Sequence, residues 1–288
     1  MTEADESSRS TYRHHASERT VPTGMLARIE RDPLHEQIFS DPSVSNGVVL
    51  DFPDILKLAD AGIAAKEYLS PEIPLASTTT VHDSFLHDLH LTQEENAVRT
   101  VEPDWHFAFD VPTYRDEDMA SAQREQNIDN YRKGVSCLYE RLKGTRTTIV
   151  PLLKAVYPEE IRDSFEGIKH ICDGVIAVYV GQFFGPHVGN RHKEMERWIW
   201  QIDAICNPSG IILIGLLSPR YLAALPGSVI AAIGKRYWMR KTEFRTASLT
   251  TTRRRCRVLQ NRVQKRLSTG YTQQTMSQFT ASEVHADG

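Results

Sequence analysis

A chain of 288 residues, 40% hydrophobic and 25% charged, can bury one large core, and α/β barrels use this length as a single domain. It has no run of 18 apolar residues, and its polar, acidic start (MTEADESSRSTYRHHASERT) lacks the apolar stretch of a secretory signal, so a soluble cytoplasmic protein without a membrane partner is expected. The net charge of −3 is unevenly spread: Lys235 to Arg266 carries twelve basic residues against one acid, Glu243, which points to a polyanion partner unless the segment is a solvated tail.

Residues 1 to 22 lack apolar periodicity and read as a disordered tail. Leu26 to Phe39 reads as an entry segment with a short helix, and Asn46-Gly47 then turns the chain into a first strand, Val48 to Phe52. An amphipathic helix follows through Ile55, Leu58 and Ile63. Ile73 to Ser77 is a second, weaker strand, and Val81 to His90 fits either a loop or a short helix. Thr92 and Glu95 have the spacing of a capping box that opens a helix running to Val101.

The strand after it, Trp105 to Phe109, is almost wholly apolar and ends on Asp110, with Pro112 blocking any extension. An acid at the carboxyl end of a parallel strand suits chemistry or substrate binding, and it equally suits a cap on the next helix. Asp51 ends the first strand in the same way.

A long helix from Met119 to Leu142 leads to a strand at Thr147 to Leu153, and Glu159 to His170 is helical. Gly174 to Val180 is a strand, Gly181 to Gly189 a loop and Lys193 to Cys206 a helix. Ile211 to Ile214, a short helix at Pro219 to Leu225, and Ser228 to Ile233 complete the alternation. Seven strands alternating with helices imply the α/β class and a (β/α)8, TIM-barrel-like sheet with an incomplete or irregular eighth unit. The barrel is expected over residues 23–245, followed by a basic and then polar C-terminal tail over 246–288 that includes a possible basic helix from Arg253 to Leu267. The four cysteines lie too far apart in sequence to pair as a zinc motif, and His14, His15, His82, His87, His90, His187 and His192 lack paired-ligand spacing, so no metal is expected.

With Asp51 and Asp110 both at strand ends, the sequence resembles the tRNA-guanine transglycosylase superfamily, including relatives that insert 7-deazaguanines into DNA. The likeness is clearest over LTQEENAVRTVEPDWHFAFDVPTY (Leu91 to Tyr114) and extends more weakly over Thr147 to Pro186 and Ile211 to Ile233. It implies that Asp110 recognises the purine, that Asp51 lies beside the base as the catalytic group with Asp54 second, and that Phe52, Gly181 and Gln182 line the base site. It also implies a glycosyl-enzyme intermediate and no cofactor.

This chain departs from the family pattern at several places. Phe52-Pro53-Asp54 replaces Ser-Gly-Gly, Leu153-Lys154-Ala155 stands near the family's Gln-Gly-Gly, no carboxylate occurs near Ala231 to Gly234, and the zinc cluster is missing.

Lys235, Arg236, Tyr237, Trp238, Arg240 and Lys241 interleave cations with aromatics, which suits nucleic-acid binding. A Trp/Tyr pair sealing the barrel end is the other reading. The expected partners are DNA ahead of tRNA, a 7-deazaguanine base, and a second copy of the chain or an active paralogue. Base exchange and non-catalytic binding of the base both remain open at this point.

Overall fold

A run such as Gly210–Ile214 (GIILI) has no polar face to give to water, so it suits a parallel strand covered on both sides. Eight such strands form one parallel sheet in the structure, a computed structural model that describes residues 21–115, 118–185 and 189–268. In chain order, β1 (Gly24–Ile29) is followed by α1 (Pro33–Phe39), and β2 (Gly47–Asp51) by α2 (Phe52–Asp60) and α3 (Ala65–Tyr68). Next come β3 (Leu75–Thr78), α4 (Asp83–Asp88), α5 (Leu91–Val101), β4 (Trp105–Phe107), α6 (Ser121–Arg141), β5 (Thr148–Val150) and α7 (Pro158–Glu166). β6 (Val175–Tyr179) runs through a 3-10 turn at Gly181–Phe183 and a small hairpin, β7 (Phe184–Gly185) with β8 (Gly189–Asn190), into α8 (His192–Cys206). β9 (Gly210–Ile214), α9 (Pro219–Leu222), β10 (Val229–Gly234), α10 (Arg236–Thr242) and α11 (Leu249–Leu267) complete the described chain.

The strand order is β5-β4-β3-β2-β1-β10-β9-β6. A sheet so ordered is a TIM-like barrel whose last seam, between β5 and β6, is held by a single bridge, Leu152 to Ala177. Two backbone bonds make that bridge, Leu153 N–H to Ala177 O and Ala177 N–H to Pro151 O, each 2.8 Å. Pro151 has no N–H to donate, and the ladder is correspondingly thin where β5 meets its second neighbour.

The eighth strand missing from the sequence reading is β1, GMLARI, which was expected to be an entry segment. It pairs with both β2 and β10 and is buried along its length except at the half-buried Arg28, the charged residue that interrupts its apolar run. Strand β4 is shorter than expected. It ends at Phe107 because Phe109 adopts a left-handed conformation (φ 52°) that no strand continues through.

The domain boundary expected after residue 245 is also corrected. α11 turns Thr252, Cys256, Leu259, Val263 and Leu267 inward at helical spacing, all of them buried; Arg253 and Arg255 bond to the ends of α1 and α10, and its other cations are exposed. It is a structural layer of the barrel, and the part of the expected tail from 269 onward lies outside the described residues.

Burying a Leu or Val side chain is worth roughly 1.5–3 kcal/mol, so the inward face of α11 contributes an amount comparable to the whole net stability of a domain, about 5–15 kcal/mol. A chain ending at Arg245 should therefore lose its cooperative thermal transition, while one ending at Ser268 keeps it. A Tm for the shorter chain within about 2 °C of the longer one would show that α11 is dispensable.

Candidate active site at the barrel mouth

The loops after the strand ends enclose a cavity of about 590 Å³, lined by Arg28, Asp51, Asp83, Asp110, Lys154 and Tyr179 among others. This is the end of the barrel where such folds hold their chemistry. Asp51 is the last residue of β2, and its Oδ1 accepts from Arg28 Nε at 2.5 Å. Arg28 Nη2 donates to the Thr80 carbonyl at 2.7 Å, so one guanidinium ties together the ends of β1, β2 and β3.

Asp110 is held from several directions. The Phe109 N–H donates to Glu94 Oε1 at 2.8 Å, and the Asp110 N–H donates to Thr79 Oγ1 at 2.9 Å. The Phe109 ring lies so close to Gly134 of α6 that a Cβ there would meet it at 2.0 Å, which explains a glycine in the middle of a long helix. The Asp110 carboxylate pairs with Lys154 Nζ, which also donates to the Val111 carbonyl at 2.9 Å.

Lys154 belongs to the segment that closes the thin seam. Its carbonyl accepts from Ser164 Oγ at 2.6 Å, and the Leu152 N–H donates to Tyr131 Oη at 2.5 Å. Burial pushes the Asp110 carboxyl above the ordinary aspartate value, and the Lys154 ammonium opposes that rise.

Behind this wall, Ser77 Oγ, His106 Nδ1 and Nε2, and Glu94 Oε1 form a chain with both separations 2.7 Å. The order imitates a Ser-His-acid triad, yet all three side chains are essentially unexposed and none lines the cavity. The arrangement is a strut. The Glu94 oxygen that orients His106 also fixes the backbone that presents Asp110. α5 starts at Leu91, with His90 at the cap and not at the Thr92 capping box expected from sequence, and Glu94 lies on its buried face with Ala97, Val98 and Val101.

The remaining expected site residues divide. Gln182 lines the cavity with Asp51 and Asp110. Asp54 does not: it accepts from the Arg31 N–H at 3.1 Å and from Lys57 Nζ at 2.7 Å on the first turn of α2. Phe52 is wholly buried against the His106 ring, between strand and helix layers, and so is removed from any substrate. Gly181 is not a lining residue. A Cβ on it would meet Tyr179 Oη at 2.5 Å, so the crowding comes from this chain.

Trp238 is fully buried, donating Nε1–H to the Arg28 carbonyl at 2.9 Å among the rings of His35, Phe39 and Phe244. That burial withdraws Trp238 from nucleic acid, whereas Tyr237 beside it is half-buried. Lys235 pairs with Glu30, whereas Arg240 and Lys241 are exposed, about 5.9 and 5.8 Å from the Tyr237 ring centre. Arg236 is exposed as well. Burial raises the Tyr179 hydroxyl's pKa, and the charges of Arg28 and Arg236 oppose the rise.

Sequence reasoning overlooked Arg28, Lys154, Asp83 and Tyr114, whose hydroxyl donates to Asp83 Oδ2 at 2.6 Å. The available signal for Arg28 was one cation near the end of an apolar strand. His14, His15 and His187 lie outside the described residues, and among those described no group of three or more His, Cys, Asp or Glu could hold a metal.

Compared with models of protein families the chain matches none, and no curated protein matches it. It is similar to two solved structures described as tryptophan synthase alpha chains. One, from Legionella pneumophila subsp. pneumophila, has 11% identity and a TM-score of 0.50 over 84% of this chain and 91% of that one. The other, from Legionella pneumophila str. Paris, has 10% identity and a TM-score of 0.52 over 84% of this chain and 93% of that one. Likeness at this identity establishes the fold alone: an α/β barrel of the TIM type.

Because the folded Asp110 binds its proton more tightly than the unfolded chain does, its contribution to stability is full below the ordinary value of 3.8 and is lost as pH rises through the folded pKa. Carbon-13 NMR of the Asp110 carboxyl should give a midpoint above 3.8, and Asp110→Asn should remove that part of the pH dependence. A midpoint below 3.8 would mean that Lys154 outweighs burial.

Proposed function

We propose that the barrel mouth binds a guanine-like base and exchanges guanine in a polynucleotide for a 7-deazaguanine, with DNA the preferred substrate. The observation that carries this reading is the convergence of Asp51 and Asp110, from the ends of separate strands, on one cavity. A carboxylate held against rotation can take two parallel N–H donors from one base edge, which is the work assigned to Asp110.

Asp51 is then the group for the sugar. Its carboxylate would attack C1′ as guanine departs with the glycosidic electron pair and gains a proton. N9 of the incoming base would next displace Asp51 from C1′ and shed its own proton. Arg28 fixes which Asp51 oxygen is free to approach. Exposed Arg236, Arg240 and Lys241 supply phosphate contacts on the side of the barrel nearest α10, and Tyr237 supplies an aromatic face.

A second reading, a barrel that binds a deazaguanine without exchanging it, is favoured by the end of β10. There Ala231 to Gly234 carry no carboxylate where the resemblance implies a nucleophilic acid, and the next residue, Lys235, is engaged with Glu30.

Incubation with labelled 7-cyano-7-deazaguanine and guanine-containing DNA or tRNA separates the readings. Exchange predicts label in DNA, lost in Asp51→Asn although that variant still binds the base. Asp110→Asn, which presents a donor to donors, should lose base affinity by on the order of 10²-fold. Base binding without label in either nucleic acid would leave the non-catalytic reading, and absence of both would remove the proposal.

A further inference from the structure

Lys154 is a buried residue, 8% exposed, facing the same cavity as Asp110. An ammonium has three N–H donors. Two are committed within the chain, to the Asp110 carboxylate and the Val111 carbonyl; the third has no oxygen or nitrogen acceptor among the described residues and only the Tyr131 ring near it, its centre 6.0 Å from Nζ. The cavity therefore presents a cationic donor and an anionic acceptor side by side, on a frame fixed by Ser164, Tyr131, Thr79 and Glu94.

A planar ligand satisfies that pair when its edge carries an acceptor next to a donor, in the same order. The lactam edge of a 6-oxopurine does so, with O6 beside N1–H and, in guanine, a further N–H from the 2-amino group. The adenine edge is reversed: its 6-amino group would meet the ammonium and its bare N1 the carboxylate, leaving buried charges facing groups of the wrong polarity.

We infer that Lys154 is a specificity-determining residue that donates to O6 while Asp110 accepts from N1–H and the 2-amino group, so that the ion pair as a unit selects 6-oxopurines and their 7-deaza relatives. The inference rests on the base-binding reading proposed above and adds to it the residue that reads the oxygen. The paired charges cancel, so a neutral base enters without bringing an unbalanced charge into the mouth. A purely structural Lys154, bracing the end of β5, would leave the choice among bases unchanged. Selectivity is therefore the readout that separates the two roles.

Calorimetric titration of the full chain with guanine, 6-thioguanine and adenine tests this. Thioguanine keeps N1–H and the 2-amino group but offers sulfur, a poorer acceptor, in place of O6. Wild type should bind guanine at least about ten-fold more tightly than 6-thioguanine and about 10²-fold more tightly than adenine. Lys154→Met, of similar length and no charge, should weaken guanine about ten-fold and bring the guanine to 6-thioguanine ratio near one. Lys154→Gln, which keeps a donor, should recover part of the ratio.

A folded Lys154→Met with the wild-type ratio would overturn the inference. If that variant does not fold, the wild-type comparison decides: a preference for guanine supports the assignment and equal affinity for guanine and 6-thioguanine refutes it. Failure of wild type to bind any of the three bases is a different result, since it removes the base-binding reading itself.

Discussion

A carboxylate and an ammonium placed together inside a barrel mouth constrain everything around them. Asp110 and Lys154 have side chains only 12% and 10% exposed, so neither could be left without the other at a cost below several kcal/mol. The pair holds the loop after β4 to the segment after β5, where the sheet has just lost its ladder at Pro151. The oxygens that anchor its frame come from four elements: Glu94 from α5, Tyr131 from α6, Ser164 from α7 and Thr79 from the end of β3. Buried ion pairs are poor stabilisers compared with well-packed apolar groups. Under the proposed reading, the cost of the pair is offset by the base edge that it binds.

Arg28 and Asp51 repeat the device on the neighbouring strands, so the mouth carries two ion pairs and, with Asp83 also lining it, one more acid than cations. The exposed positive charge lies elsewhere, on α10 and the outer face of α11. A donor-and-acceptor-rich cavity beside a cationic surface is the division of labour that the proposed reading requires, in which phosphates are held by one and a base edge by the other.

Seven of the eight barrel strands were legible because unbroken apolar runs between helical patterns leave few alternatives. β1 was missed because Arg28 interrupts its run, and that Arg is the residue that reaches the mouth. α11 was mistaken for a tail because twelve cations between 235 and 266 dominate its composition, although its inward stripe has helical spacing. Asp51 and Asp110 could be found since strand ends are visible in a sequence. Lys154 could not be assigned, because its partner is 44 residues away and only the closed sheet brings the two together. The fates of Phe52, Asp54 and Trp238 show the limit from the other side. Each has the right chemistry near the right position, and each is turned away by packing or by a nearer hydrogen-bond partner.

The most direct test of the account is a crystal structure of the protein grown with 7-deazaguanine at saturating concentration. The account predicts the base in the 590 Å³ cavity with its lactam edge against Asp110 and Lys154 and its sugar-bearing nitrogen directed towards Asp51. A base bound at another surface, or bound in this cavity with that edge turned away from the ion pair, would contradict it.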